Sequence, residues 1–193
     1  MKLITIISYL VYIIYIHFVG TNAEYIFHRF LMHNEEMPYG KFHVTHHKHT
    51  DDDMYLINTD SKEYKDIGVE ENLIIDMRET LLISAFVYIF AYVFYIFFPV
   101  KINIYFIILV PLIYIIYAMV MWNSIHPYIH YKCGRDYTPI SLPCDFTKYI
   151  AKNNDFVKWL INNHKKHHIY KGDEKGNYNI TVPGADFLYN TYN

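Results

Sequence analysis

Three long apolar stretches limit what this chain can fold into. Residues 3–19 carry only Thr5, Ser8 and His17 as clearly polar interruptions, residues 81–98 follow the same pattern, and residues 102–122 are broken only by Asn103 and Pro111. A helix rises 1.5 Å per residue, so about 20 apolar residues cross a hydrocarbon core ~30 Å thick. The three stretches are therefore read as membrane spans, the second and third joined through Pro99-Val100-Lys101 as a tight helical hairpin. A composition 53% hydrophobic and 19% aromatic over 193 residues suits a membrane protein of one domain, residues 1–193. A formal net charge of only −2 gives no reason to expect a nucleic-acid partner. The first stretch has a second reading as a cleaved signal peptide, with Lys2 as its basic start and Thr21-Asn22-Ala23 as a small-residue cleavage site.

Three spans place the segments 20–80 and 123–193 on one side of the membrane. That side carries fifteen of the seventeen lysines and arginines, with Lys2 and Lys101 opposite. The positive-inside rule assigns it to the cytoplasm. The expected fold is thus an all-α integral membrane protein, with about three transmembrane helices and a cytoplasmic helical cap.

The same two segments hold ten of the twelve histidines, in clusters over 28–47 and 126–168. His43, His46 and His47 stand at i, i+3 and i+4, and His164, His167 and His168 repeat the spacing, so each trio shares one face of a helix. His126 and His130 are four apart and share a face if Pro127 occupies a first helical turn. His28 and His33 are five apart, about 140° round an α-helix; they reach different metals or are brought together by a local distortion. Neutral imidazole is a good ligand for iron, zinc and copper, and three protein ligands already make many catalytic zinc sites. Ten histidines therefore point to a histidine-rich dimetal site. His17 and His49 stand apart and read as structural.

The other elements are expected as follows. The first helix continues through Glu24 towards Asn34. Pro38-Tyr39-Gly40 is a turn, and a helix spans 42–50, ended by Asp51-Asp52-Asp53. Residues 58–72 form a polar surface excursion. Residues 131–143 form a loop whose cysteines, Cys133 and Cys144 at its edge, are read as free thiols. A helix over 145–170 breaks at Asn153-Asn154, and a packed, irregular tail runs from 172 to 193. Trp122 and Asn123 read as membrane-boundary anchors, Tyr128 as a lining of the substrate access, and Asp186 and Asn163 as acceptors that orient the ligating imidazoles.

The ordered pattern His-x4-His, His-x2-His-His, His-x3-His and His-x2-His-His around membrane spans resembles the fatty acid hydroxylase / sterol desaturase superfamily, from about His28 to the C-terminus. The tail, Gly176-Asn177-Tyr178-Asn179-Ile180-Thr181-Val182-Pro183-Gly184-Ala185-Asp186 with Tyr189-Asn190-Thr191, is similar to the family's ending, with Asn179 and Asn190 where glycines are common. The start His28-Arg29-Phe30-Leu31-Met32-His33 is similar to that of the bacterial carotenoid hydroxylases of the same superfamily. The resemblance implies a non-haem di-iron centre, dioxygen as co-substrate, and oxidation of a lipid C–H bond, by hydroxylation first of all, in lipid biosynthesis or modification. It implies His28, His33, His43, His46, His47, His126, His130, His164, His167 and His168 as the metal ligands. It also implies a separate electron donor, such as a cytochrome b-type protein with its reductase, and, in a eukaryotic cell, an endoplasmic-reticulum-like membrane. Family members usually have four spans; this chain shows three. Two alternatives stand beside this reading: a zinc-dependent membrane hydrolase, zinc being favoured over ferrous iron in equilibrium affinity, and a non-catalytic metal- or haem-binding membrane protein.

Overall fold

The first apolar stretch is the beginning of a longer helix. In the computed structural model, which describes residues 3–98, 102–169 and 175–193, helix α1 (Leu3–Ile26) runs straight into a π-helical turn over Phe27–Met32. Helix α4 (Met77–Phe97) starts four residues before the expected 81. The reason is a capping box: Asp76 accepts from the Arg78 and Glu79 backbone N–H groups at 2.7 and 3.1 Å, and Glu79 accepts from the Asp76 N–H at 2.9 Å. Helix α5 (Ile104–Ile129) extends the third stretch by almost two turns, through His126. All three helices are long and apolar enough to cross a membrane. Their outward faces carry large apolar side chains, Leu3 and Phe97 being 72% and 78% exposed, as a lipid-facing surface requires. The expected hairpin turn at Pro99-Val100-Lys101, Lys2, Tyr170 and residues 172–174 of the tail lie outside the described residues.

Two prolines interrupt the α5 backbone ladder, and the fold deals with each. Pro111 has no N–H for the Ile107 carbonyl, and the Tyr12 hydroxyl of α1 donates to that oxygen at 2.7 Å. Tyr12 is fully buried among Ile16, Val87, Phe94 and Ile107, so one polar contact pins α1 to α5 inside an apolar interface. Pro127 likewise leaves the Asn123 carbonyl without its helical donor. Gly134 packs against that oxygen; a Cβ there would lie only 1.7 Å from it. Pro127 thus sits in the last turn of a long helix, not in the first turn of a new one.

The polar elements gather at one end of the bundle, where α1 and α5 end and α4 begins; Asn123 of α5 accepts from the Ile75 N–H at 2.8 Å just before α4. Helix α2 (Pro38–Lys48) takes in the expected Pro38-Tyr39-Gly40 turn as its first turn, since proline's missing N–H costs nothing there. The 58–72 excursion contains α3 (Lys62–Ile67) and a short turn at Glu71–Leu73, and it is not merely a surface feature. Val69 and Leu73 are fully buried beneath it, as is Met54 just ahead of it. Glu70 fastens it to the 131–143 loop by accepting from Tyr64, Tyr137 and Lys132. Helices α6 (Cys144–Asn153) and α7 (Asp155–Ile169) part at Asn154, as the sequence suggests. The tail packs as an irregular strap ending in α8 (Ala185–Leu188).

The cysteines depart from expectation. Cys133 and Cys144 form a disulfide, with their Cα atoms 5.6 Å apart. Arg135 folds the intervening loop back by donating to the Pro139 and Ser141 carbonyls, which brings the two ends together.

Candidate metal centre

The ten clustered histidines converge, and they divide into two groups of five. His28, His33, His43, His47 and His167 form the first; His46, His126, His130, His164 and His168 form the second. Within each group one nitrogen per ring lies within 4.8 Å of every other. Each helical trio is split between them: the i and i+4 members of α2 serve the first group and its i+3 member the second, whereas α7 does the reverse. The π-helical turn answers the question of His28 and His33. Its i→i+5 winding brings residues five apart onto one face, and both join the first group. His47 and His168 stack at 4.1 Å between ring centroids and form the partition between the groups. The second group is wholly buried; His33 and His47 leave the first half-open. His17 and His49 stay outside both, His49 bonding the Ile57 carbonyl instead.

The rings are aimed by backbone. Nδ1 of His28, His126, His130 and His167 bonds the carbonyls of Tyr178, Leu73, Met54 and Gly176 at 2.6, 2.6, 3.1 and 2.7 Å. A carbonyl can only accept, so each Nδ1 carries the proton and each Nε2 turns a lone pair inward. Neither Asp186 nor Asn163 takes the expected place against an imidazole. Asp186 accepts from the Tyr178 and Asn179 N–H groups and the Thr191 hydroxyl, and Asn163 donates to the Asn179 carbonyl at 2.6 Å. Both shape the strap that supplies the Tyr178 and Gly176 carbonyls, one step removed from the rings. Glu24 of α1 holds the same strap, accepting from the Ile180 and Thr181 N–H groups at 2.8 and 2.7 Å. The four carbonyls carry no side-chain signal, so sequence reading had no access to them. Glu24, an acid closing an apolar run, was a visible sign.

The convergence crowds the imidazole nitrogens together. Nε2 of His43 lies 3.0 Å from Nε2 of both His28 and His47, and the His33–His167 and His164–His168 pairs repeat that distance. Protons do not relieve it. Burial first, then the neighbouring imidazoles, push His43, His46, His47, His164 and His168 well below the usual histidine range. Burial lowers His33 to about 2, with His167 and Lys175 adding to it, and lowers His167 to about 4. In the second group Nε2 of His126 and His130 and both nitrogens of His46 are buried without a hydrogen-bond partner. A nitrogen–nitrogen spacing near 3.0 Å is what two ligands at right angles present to a metal ~2.1 Å from each. The residues therefore fit a pair of divalent transition-metal ions, one per group.

Trp122 is not a boundary anchor: it is buried, with its ring 5.8 Å from His28 and 5.1 Å from His126, a bridge between the two groups. Tyr128 lines a polar cleft with Cys133, Lys148 and Lys165, away from the apolar cavity that reaches His28. No family model, curated protein or solved structure matches this chain.

Proposed function

We propose that this protein is a membrane-bound di-iron oxidase of the fatty acid hydroxylase / sterol desaturase type, which hydroxylates a lipid C–H bond with dioxygen. One observation carries the reading: two adjacent all-imidazole groups stand at one end of three membrane-length helices, and the first of them meets, through His28, a small apolar cavity between those helices. Five nitrogens per group exceed the four ligands of a typical zinc site and suit a metal of higher coordination with a position left for a small molecule. This favours iron over the zinc hydrolase. A haem carrier needs one or two axial histidines and leaves most of the ten unused.

Bound iron would supply dioxygen activation and the oxidising power to break a C–H bond. The chain's own groups do the rest. The Tyr178, Leu73, Met54 and Gly176 carbonyls keep four rings in the ligating tautomer. Burial keeps the outer histidines neutral and available as ligands. The apolar wall of Phe27, Met32, Ile115 and Met119 keeps water away from the His28 side of the site. The net reaction converts C–H, one dioxygen, two electrons and two protons into C–OH and water. The electrons come from a separate donor, such as a cytochrome b-type protein and its reductase. The charge bias favours a cytoplasmic histidine end, at an endoplasmic-reticulum-like membrane in a eukaryotic cell, whereas the Cys133–Cys144 disulfide on the same side favours an oxidising compartment.

The test is iron-reconstituted protein in lipid vesicles with a chemical reductant and isotopically labelled dioxygen. Label appearing in a lipid alcohol, dependent on iron and reductant, is the expected result. Lipid hydrolysis by zinc-loaded protein without reductant would establish the hydrolase in its place.

A further inference from the structure

The Cys133–Cys144 bond belongs to neither histidine group and takes no part in the proposed oxidation. Cys144 opens helix α6 and is exposed, Cys133 is half-buried, and both line an open cleft of about 800 Å³ with Tyr128, Lys148 and Ile161. A small thiol can therefore reach the exposed sulfur. The bond closes the loop that follows His130, and that loop clamps the backbone behind the second group. Tyr137 and Lys132 donate to the Glu70 carboxylate at 2.9 and 2.8 Å. Tyr131 stacks on Tyr55 with ring centroids 4.1 Å apart and donates to the Asp53 carbonyl. The Leu142 N–H donates to the Ser124 hydroxyl of α5 at 2.8 Å. The clamped segment, residues 53–73, supplies the Met54 and Leu73 carbonyls that aim His130 and His126. The first group takes its carbonyls from Tyr178 and Gly176 of the C-terminal strap instead.

We propose that Cys133–Cys144 is a reversible redox site, whose reduction by a small thiol loosens the hold on the second-group metal. The exchange is a pair of displacements. A thiolate attacks the exposed Cys144 Sγ, the Cys133–Cys144 bond breaks, and Cys133 leaves as a thiolate that takes up a proton. A second thiolate attacks the sulfur of the first thiol in the mixed disulfide, and Cys144 leaves and is protonated in turn. Two small thiols are oxidised to one disulfide, and the protein disulfide is reduced to two thiols. The cross-link spans a sequence separation of 11 and limits how far the loop can open. Once it is cut, local opening is easier, and with it the release of Glu70 and Asp53 and the misalignment of the Leu73 and Met54 carbonyls. Displacing such an orienting acceptor typically weakens a metal site by about ten- to a hundredfold. Reversibility also accounts for a disulfide on the side that the lysines and arginines assign to the cytoplasm, where disulfides are transient and serve sensing or catalysis. The proposal goes beyond the oxidase reading and needs only a metal in the second group.

Zinc release reads this site without turnover. Zinc-loaded protein is equilibrated with oxidised or with reduced glutathione, freed of it by gel filtration, and mixed with a chromogenic chelator. Mass spectrometry after alkylation counts the free thiols, which should be none after the first treatment and both cysteines after the second. In wild-type protein, reduction should speed one of two release phases by about tenfold and leave the other unchanged. His47→Ala protein, left with the second-group zinc, should show the redox-sensitive phase alone, and His46→Ala protein the insensitive one. Cys133→Ser/Cys144→Ser protein should release at the fast rate after either treatment, which separates loss of the bond from stripping of zinc by the thiol. A thiol count that does not change, equal release from oxidised and reduced protein, sensitivity residing in His46→Ala protein, or a glutathione effect surviving in the double serine variant would each overturn the proposal. Redox-independent release sinks this proposal alone; protein that holds no zinc sinks the metal centre itself and the proposal with it.

Discussion

His46 and His47 are neighbours in the chain with ring centroids 5.7 Å apart, yet they belong to different histidine groups, each able to hold a metal ion. Successive side chains on a helix diverge by about 100°, and the partition between the groups runs through that angle. His167 and His168 repeat the division from the opposite wall.

Single substitutions should therefore remove metals one at a time. His46→Ala and His47→Ala are each expected to lower bound metal from two equivalents to about one, and the double variant to abolish it. Elemental analysis of purified protein gives the numbers. Loss of both metals in each single variant would show one shared centre instead of two groups.

The C-terminal strap should govern the first group more than the second. Asp186→Ala leaves two backbone N–H groups and a hydroxyl without their acceptor and is expected to destabilise the fold by about 2–4 kcal/mol. Because the strap presents the Tyr178 and Gly176 carbonyls to His28 and His167, metal should leave that group first. Denaturant titration followed by metal analysis measures both effects; an unchanged midpoint would remove Asp186 from this role.

Metal-free protein should weaken on acidification. His167 and His33 titrate at about 4 and about 2 in the fold, against an ordinary 6.5. The unfolded chain binds protons that the folded cage refuses, so stability falls as pH drops from about 6.5 towards 4. Bound metal, which needs neutral imidazole and binds the folded state, should oppose that fall. Urea midpoints across pH, with and without metal, decide it; a midpoint that rises on acidification contradicts the account.

The Tyr12–Pro111 arrangement predicts a coupled pair. Tyr12→Phe leaves the buried Ile107 carbonyl unpaired, at a cost of about 1–3 kcal/mol. In a Pro111→Ala background the restored backbone N–H can serve that carbonyl, and the same substitution should cost much less. A double-mutant cycle on thermal stability measures the difference; strictly additive losses would mean the hydroxyl is not compensating for the proline.

Much of this protein was legible before folding. Membrane-length helices follow from run length and apolarity alone, because the backbone must satisfy itself wherever water is absent. The ten clustered histidines announced themselves by spacing, since i, i+3 and i+4 share a helix face whatever the rest of the chain does. The tertiary structure decided how those faces meet. The allotment of His46 and His47 to separate groups depends on where α5 and α7 approach α2. The joining of His28 to His33 depends on a π-turn that simple 3.6-residue periodicity does not foresee. The ring-orienting acceptors are main-chain carbonyls of Met54, Leu73, Gly176 and Tyr178, and every residue owns such a carbonyl, so their identity exists only in three dimensions. The same holds for the Cys133–Cys144 bond and the burial of Trp122, which follow from loop closure and packing. Local spacing writes the ligands into the chain; long-range packing chooses their partners.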